Sequence, residues 1–96
     1  MTEFEEVKLF IISHLLQKLS SEGRELKGEI TDNTDILMEG IIDSLGFLGL
    51  TLNLQEHFKV EIDFEEIDPE KMTIIGYLCR FVSEKISFKA EAEADA

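Results

Sequence analysis

The sequence predicts an all-α fold: a small four-helix bundle of three longer helices plus a short third helix, with a long loop between helices 1 and 2. Three observations predict it. Apolar residues recur at helical spacing in three separate stretches, turn residues cluster between those stretches, and a chain of 96 residues suffices for one small core. A domain of this size buries only roughly 60–65% of the surface its unfolded chain exposes, which argues against a large internal active site. An apolar fraction of 44% is ordinary for a folded protein. No internal repeat is present.

The first helix is expected over about residues 3–19. Thr2 and Glu5 fit a capping box, and Phe4, Val7, Ile11 and Leu15 form a stripe with Phe10 and Leu19 beside it. His14 lies on the edge of that stripe and reads as structural. From Ser20 to Asp35 the chain runs SSEGRELKGEITDNTD, a long loop that should pack Leu26 and Ile30 onto the core. The second helix is expected over 44–58, after a turn at Gly40, with Asp43 or Ser44 as its cap. Residues 59–63 read as extended. Phe64 and Ile67, three apart, should turn one face of a short third helix inward, and Asp68-Pro69 interrupts it. The last helix is expected from Thr73, as N-cap, to about Ser87, with Ile75, Leu78, Cys79, Val82 and Ile86 as its stripe. Residues 1–88 thus form the helical domain, and 89–96, KAEAEADA, a disordered acidic tail.

The second helix differs from the others. On a wheel of about 100° per residue, Leu45, Leu48 and Leu52 fall together, while Phe47, Leu50, Leu54 and Phe58 fall on the opposite side. A bundle helix normally buries one stripe. Two opposed stripes in so short a chain point to one face in the core and a second awaiting a partner.

Composition removes several function classes. A net charge of −12 opposes nucleic acid, whose phosphates it would repel, and favours basic partner surfaces. No apolar run approaches the roughly 20 residues of a membrane span, so no membrane insertion is expected. The acidic opening Met1–Glu6 is unlike a secretory signal. Cys79 is the single cysteine and reads as a core residue; with no thiolate cluster and no disulfide, a cytoplasmic location follows. A calcium loop over 32–43 fails because its sixth position, which needs glycine, is Leu37. His14, His57 and Cys79 sit on three separate helices at no recognised metal spacing, and no Ser/His/Asp set is present. No catalytic or metal residues are therefore assigned. Acid gathers at Asp32, Asp35, Glu39 and Asp43, just before the serine, and again over 61–70.

The string Gly40-Ile41-Ile42-Asp43-Ser44-Leu45-Gly46, followed by an apolar helix ending at Phe58, resembles the acyl carrier protein family, the carriers of fatty-acid, polyketide and peptide synthesis. Ile62 and the segment Ile67-Asp68-Pro69-Glu70-Lys71-Met72-Thr73-Ile74-Ile75 resemble it too, and the likeness spans roughly residues 4–88. It implies that Ser44, flanked by Asp43 and Leu45, receives a 4′-phosphopantetheine arm from coenzyme A through a separate phosphopantetheinyl transferase. The arm's thiol would carry an acyl or aminoacyl group as a thioester, so the chain would be a carrier and not an enzyme. Leu48, Leu52, Glu39, Asp43 and Glu56 would dock that transferase and the loading ligases and synthases of fatty-acid, lipid or secondary-metabolite biosynthesis, with the chain a monomer. The glycine-flanked string looks more like free-standing specialised carriers than the housekeeping fatty-acid carrier.

One departure stands out. Typical fatty-acid carriers have an acidic second helix with a glutamate five residues after the modified serine; here that position is Gly49, and Glu56 is the only acid from Ser44 to Phe58. Gly46 and Gly49 each cost a helix about 1 kcal/mol relative to alanine, which suggests close approach by a partner or the arm, or a mobile helix. The alternative reading is a non-covalent helical interaction protein, a decayed carrier binding through the exposed face of helix 2.

Overall fold

The structure, a computed structural model, describes residues 2–94. Among them are three helices in the order α1 (Glu3–Ser21), α2 (Ser44–Phe58) and α3 (Ile75–Ala94), with no strands beyond one isolated bridge between Asp35 and Ile74. The all-α class holds. The four-helix description does not, because the segment expected to hold a short third helix is two turns.

The reason is local. The Asp63 carboxylate accepts from Glu65 N–H at 2.9 Å, and the Asp68 carboxylate accepts from Glu70 N–H at 2.9 Å. Each aspartate thus offers the backbone a tight turn in place of helix. Tyr77 Oη, from α3, accepts the Asp68 N–H at 3.1 Å and pins the second turn. Ile67 still enters the core, but Phe64 stays largely outside it.

α1 starts as its capping residue dictates: Thr2 Oγ1 accepts from Glu5 N–H at 3.2 Å. Val7, Ile11, Leu15 and Leu19 are its buried stripe. The helix runs two residues past Leu19, and Gly23, at φ 68°, then reverses the chain so that Arg24 N–H reaches the Leu19 carbonyl at 2.8 Å.

The long loop is pinned rather than loose. Ile36 N–H donates to the Thr73 carbonyl and Ile75 N–H to the Thr34 carbonyl, both at 2.9 Å. Gly76 N–H donates to the Asp32 carbonyl at 2.7 Å, an approach that a side chain at 76 would block. Ile36 is fully buried and Ile30 packs against the core. Burial would raise the Asp35 pKa, but hydrogen bonds from Met38 N–H, the Thr73 hydroxyl and Leu37 N–H more than reverse this and hold the carboxyl below its ordinary value. Thr73 is therefore tied to the loop and is not the N-cap of the last helix, which begins two residues later. Nor does α3 stop near Ser87; it runs to Ala94, through most of the stretch expected to be a disordered tail. Alanine and glutamate are strong helix formers and continue a helix already begun. Residues 95–96 of that stretch lie outside the described residues.

Candidate functional site

The site is built on the first turn of α2. Gly40, at φ 71°, turns the chain, and Ile42 N–H closes on the Ile36 carbonyl at 3.1 Å. The next residue, Asp43, is the N-cap: its backbone is extended and its carboxylate accepts from Gly46 N–H at 2.7 Å. Of the two capping candidates, Asp43 holds the role. This leaves Ser44 as the first helical residue, solvent-exposed and making no capping bond of its own.

Beyond Ser44 the two stripes divide as the wheel predicts. Leu50 and Leu54 are 0% exposed and Phe47 is buried, whereas Leu45, Leu48 and Leu52 are 78%, 46% and 56% exposed. Met38 projects from the preceding loop and is also exposed. Glu39 and Glu56 are exposed as well. Phe58 is half-buried and meets Phe10 edge-on, with His57 stacked on the Phe10 ring at 4.6 Å.

The two glycines of α2 have different causes. Gly46 is buried, and a methyl placed there would come within 2.6 Å of Ile42 and 2.8 Å of Lys18 Cε. The close approach inferred from sequence is thus made by α1's own lysine stem, not by a partner. Gly49 has nothing within 4 Å of its missing side chain. It lies in a shallow groove between α1 and α2 that begins at Leu45 and includes His14, Gln17 and Lys18. His14 is half-buried there, 3.5 Å from Asn53 Nδ2. Burial, then the Lys18 charge, pushes its imidazole below the ordinary 6.5.

A second hollow lies directly at the serine, lined by Lys18, Arg24, Gly40, Asp43 and Ser44 among others. Sequence reasoning missed both cations. The helical glycine Gly46 signalled that something crosses the first turn of α2, but only the packing shows that it is Lys18.

The chemistry of the remaining residues is limited. Burial pushes the Cys79 thiol up to about 12, so it is no nucleophile at neutral pH. Among the described residues no group of histidine, cysteine and acidic side chains could hold a metal ion, and no helix is long and apolar enough to cross a membrane. An exposed serine opening a helix, capped by the preceding aspartate and followed by outward leucines, offers one reachable hydroxyl beside an apolar strip.

The comparison with protein families says what such a hydroxyl is for. The family described as phosphopantetheine attachment site matches residues 14–74, well over half of the chain. The chain belongs to this family: it is a carrier protein, not a catalyst, and its prosthetic group is a covalently attached 4′-phosphopantetheine. No curated protein and no solved structure matches it. The residues present suit such a group, since the Ser44 hydroxyl is reachable from solvent and a helix N-terminus favours a phosphate.

Proposed function

We propose that Ser44 is the residue that bears the arm and that the chain is an acyl carrier protein, presenting acyl or aminoacyl thioesters to partner enzymes. The observation that carries this reading is the exposure of Ser44 at the first turn of α2, beside Asp43, within the matched stretch. Bound there, the arm supplies the thiol that the protein's own buried Cys79 does not.

The division of labour among neighbouring residues follows from their positions. Asp43 holds the first turn of α2 in shape and offers its free carboxylate face to the transferase. Leu45, Leu48 and Leu52 offer the apolar strip on which the transferase and the loading and transfer enzymes dock, with Glu39 and Glu56 at its margins. Exposed ion pairs are each worth only about 0.2–1 kcal/mol, so with one acid on α2 this docking depends more on leucine burial than in strongly acidic carriers. That balance supports a specialised carrier rather than the housekeeping fatty-acid one, and we propose that it acts as a monomer in the cytoplasm, in fatty-acid, lipid or secondary-metabolite synthesis.

The test is loading in vitro. Incubation with coenzyme A, magnesium and a broad-specificity phosphopantetheinyl transferase should add about 340 Da to the wild type and nothing to Ser44→Ala. Equal addition to both proteins would place the arm elsewhere.

A further inference from the structure

We propose that Lys18 and Arg24 form a cationic clamp for the phosphodiester that joins the arm to Ser44. The inference rests on the reading of Ser44 as the attachment residue, and names two residues of α1 and its following turn as the ones that position the arm's root.

The geometry comes from packing. Lys18 crosses the first turn of α2, and the bare Gly46 makes room for its stem, the Cε lying 2.8 Å from where a methyl would be. Gly23 reverses the chain after α1, which brings Arg24 back toward the same place, where its guanidinium donates to the Gly40 carbonyl at 2.6 Å. Lys18, Arg24 and Ser44 therefore line one hollow of about 340 Å³. Both cations face Glu22: Lys18 Nζ at 3.7 Å and Arg24 Nη1 at 3.3 Å. Glu22 is shared between the two cations and Asp43 also lines the hollow, and the lysine contact with Glu22 is long enough to yield to a better acceptor.

The electrostatics of the whole chain give this pair its purpose. The protein has 21 acidic and 9 basic residues, and Asp43 and Glu39 lie near the serine. A phosphodiester on Ser44 adds another negative charge to that neighbourhood. α2 answers it only through the free N–H groups of its N-terminus, because its first turn carries no basic side chain and His57 is at its far end. α1 and its turn supply the cations instead. Arg24 offers a planar fork of donors to phosphate oxygens and Lys18 a mobile point charge, which suits a phosphodiester with two free oxygens. The clamp would hold the root of the arm on the α1 side of α2 and leave the leucine strip open for partners.

The experiment compares apo and loaded protein by NMR, following the Arg24 Nε–H and Lys18 Cε resonances against those of Lys71 and Arg80, which are exposed elsewhere. Loading should shift the first pair and leave the controls in place, and 1 M NaCl should shrink the shift, as screening requires. A second arm compares melting temperatures. The change on loading should be more positive in the wild type than in the Lys18→Gln/Arg24→Gln variant, by about 2–5 °C. Intact mass separates the two ideas. Loading on Ser44 with no selective shift of Lys18 and Arg24 overturns the clamp alone. No added mass, or added mass that persists in Ser44→Ala, overturns the attachment reading and the clamp with it.

Discussion

Leu50 and Leu54 are wholly enclosed by the core, while Leu45, Leu48 and Leu52, half a turn round the same helix, face solvent. The residues are chemically identical, so the difference lies in what each face meets. The inner face joins the core cluster that holds the bundle together. The outer face is only partly covered by the described residues, and its remaining apolar area is available for partners. The two glycines repeat the contrast on a smaller scale: Gly46 admits the Lys18 stem, and Gly49 opens onto a groove. A helix can thus be essential to the fold on one side and dispensable to it on the other.

Substitutions should separate the two faces. The largest stability loss is expected from Leu54→Ala, about 2–5 kcal/mol by chemical denaturation, because the site is fully buried and a cavity remains. Gly46→Ala comes next, at about 1–3 kcal/mol, since the added methyl must displace Ile42 or Lys18. Gly49→Ala should instead stabilise by about 0.5–1 kcal/mol, having open space around it and a better helix former in place. A loss at Gly49 equal to that at Gly46 would contradict the assignment of faces. The paired change Leu48→Ala/Leu52→Ala should move stability by less than about 1 kcal/mol yet slow loading by the transferase several-fold, a split that reads out docking.

The smallest effect concerns pH. His14 has its pKa held below the ordinary value, so folding favours the neutral ring. The stability this represents is complete above the unfolded pKa of about 6.5 and is lost as pH falls through the lower folded value. His14→Gln should therefore flatten the decline in melting temperature between about pH 7 and pH 5. An unchanged decline would mean that other groups govern it.

Much of this was legible in the sequence because the signals are local. The α1 cap at Thr2, the stripe Val7-Ile11-Leu15 and the two faces of α2 follow from spacing alone, and the structure places them accordingly. The short third helix is where spacing misleads: Phe64 and Ile67 suggest a helical face, while the Asp63 and Asp68 carboxylates close turns that no periodicity reveals. Thr73 looked like a cap, and its hydroxyl went to Asp35 from a loop far back in sequence. The setting of Ser44 shows the same limit. The serine and its aspartate can be read along the chain, but Lys18 and Arg24 come to line the same hollow only through the packing of α1 on α2 and a left-handed glycine at 23.

The central claim is that Ser44 carries the arm in the working protein. Intact mass of the chain purified from its own cells, followed by fragmentation to locate any added group, tests this most directly. The account predicts a species heavier than the bare sequence by at least about 340 Da, with the whole increment on the peptide that contains Ser44. A mass equal to the bare sequence under every growth condition, or an increment on another residue, would contradict it.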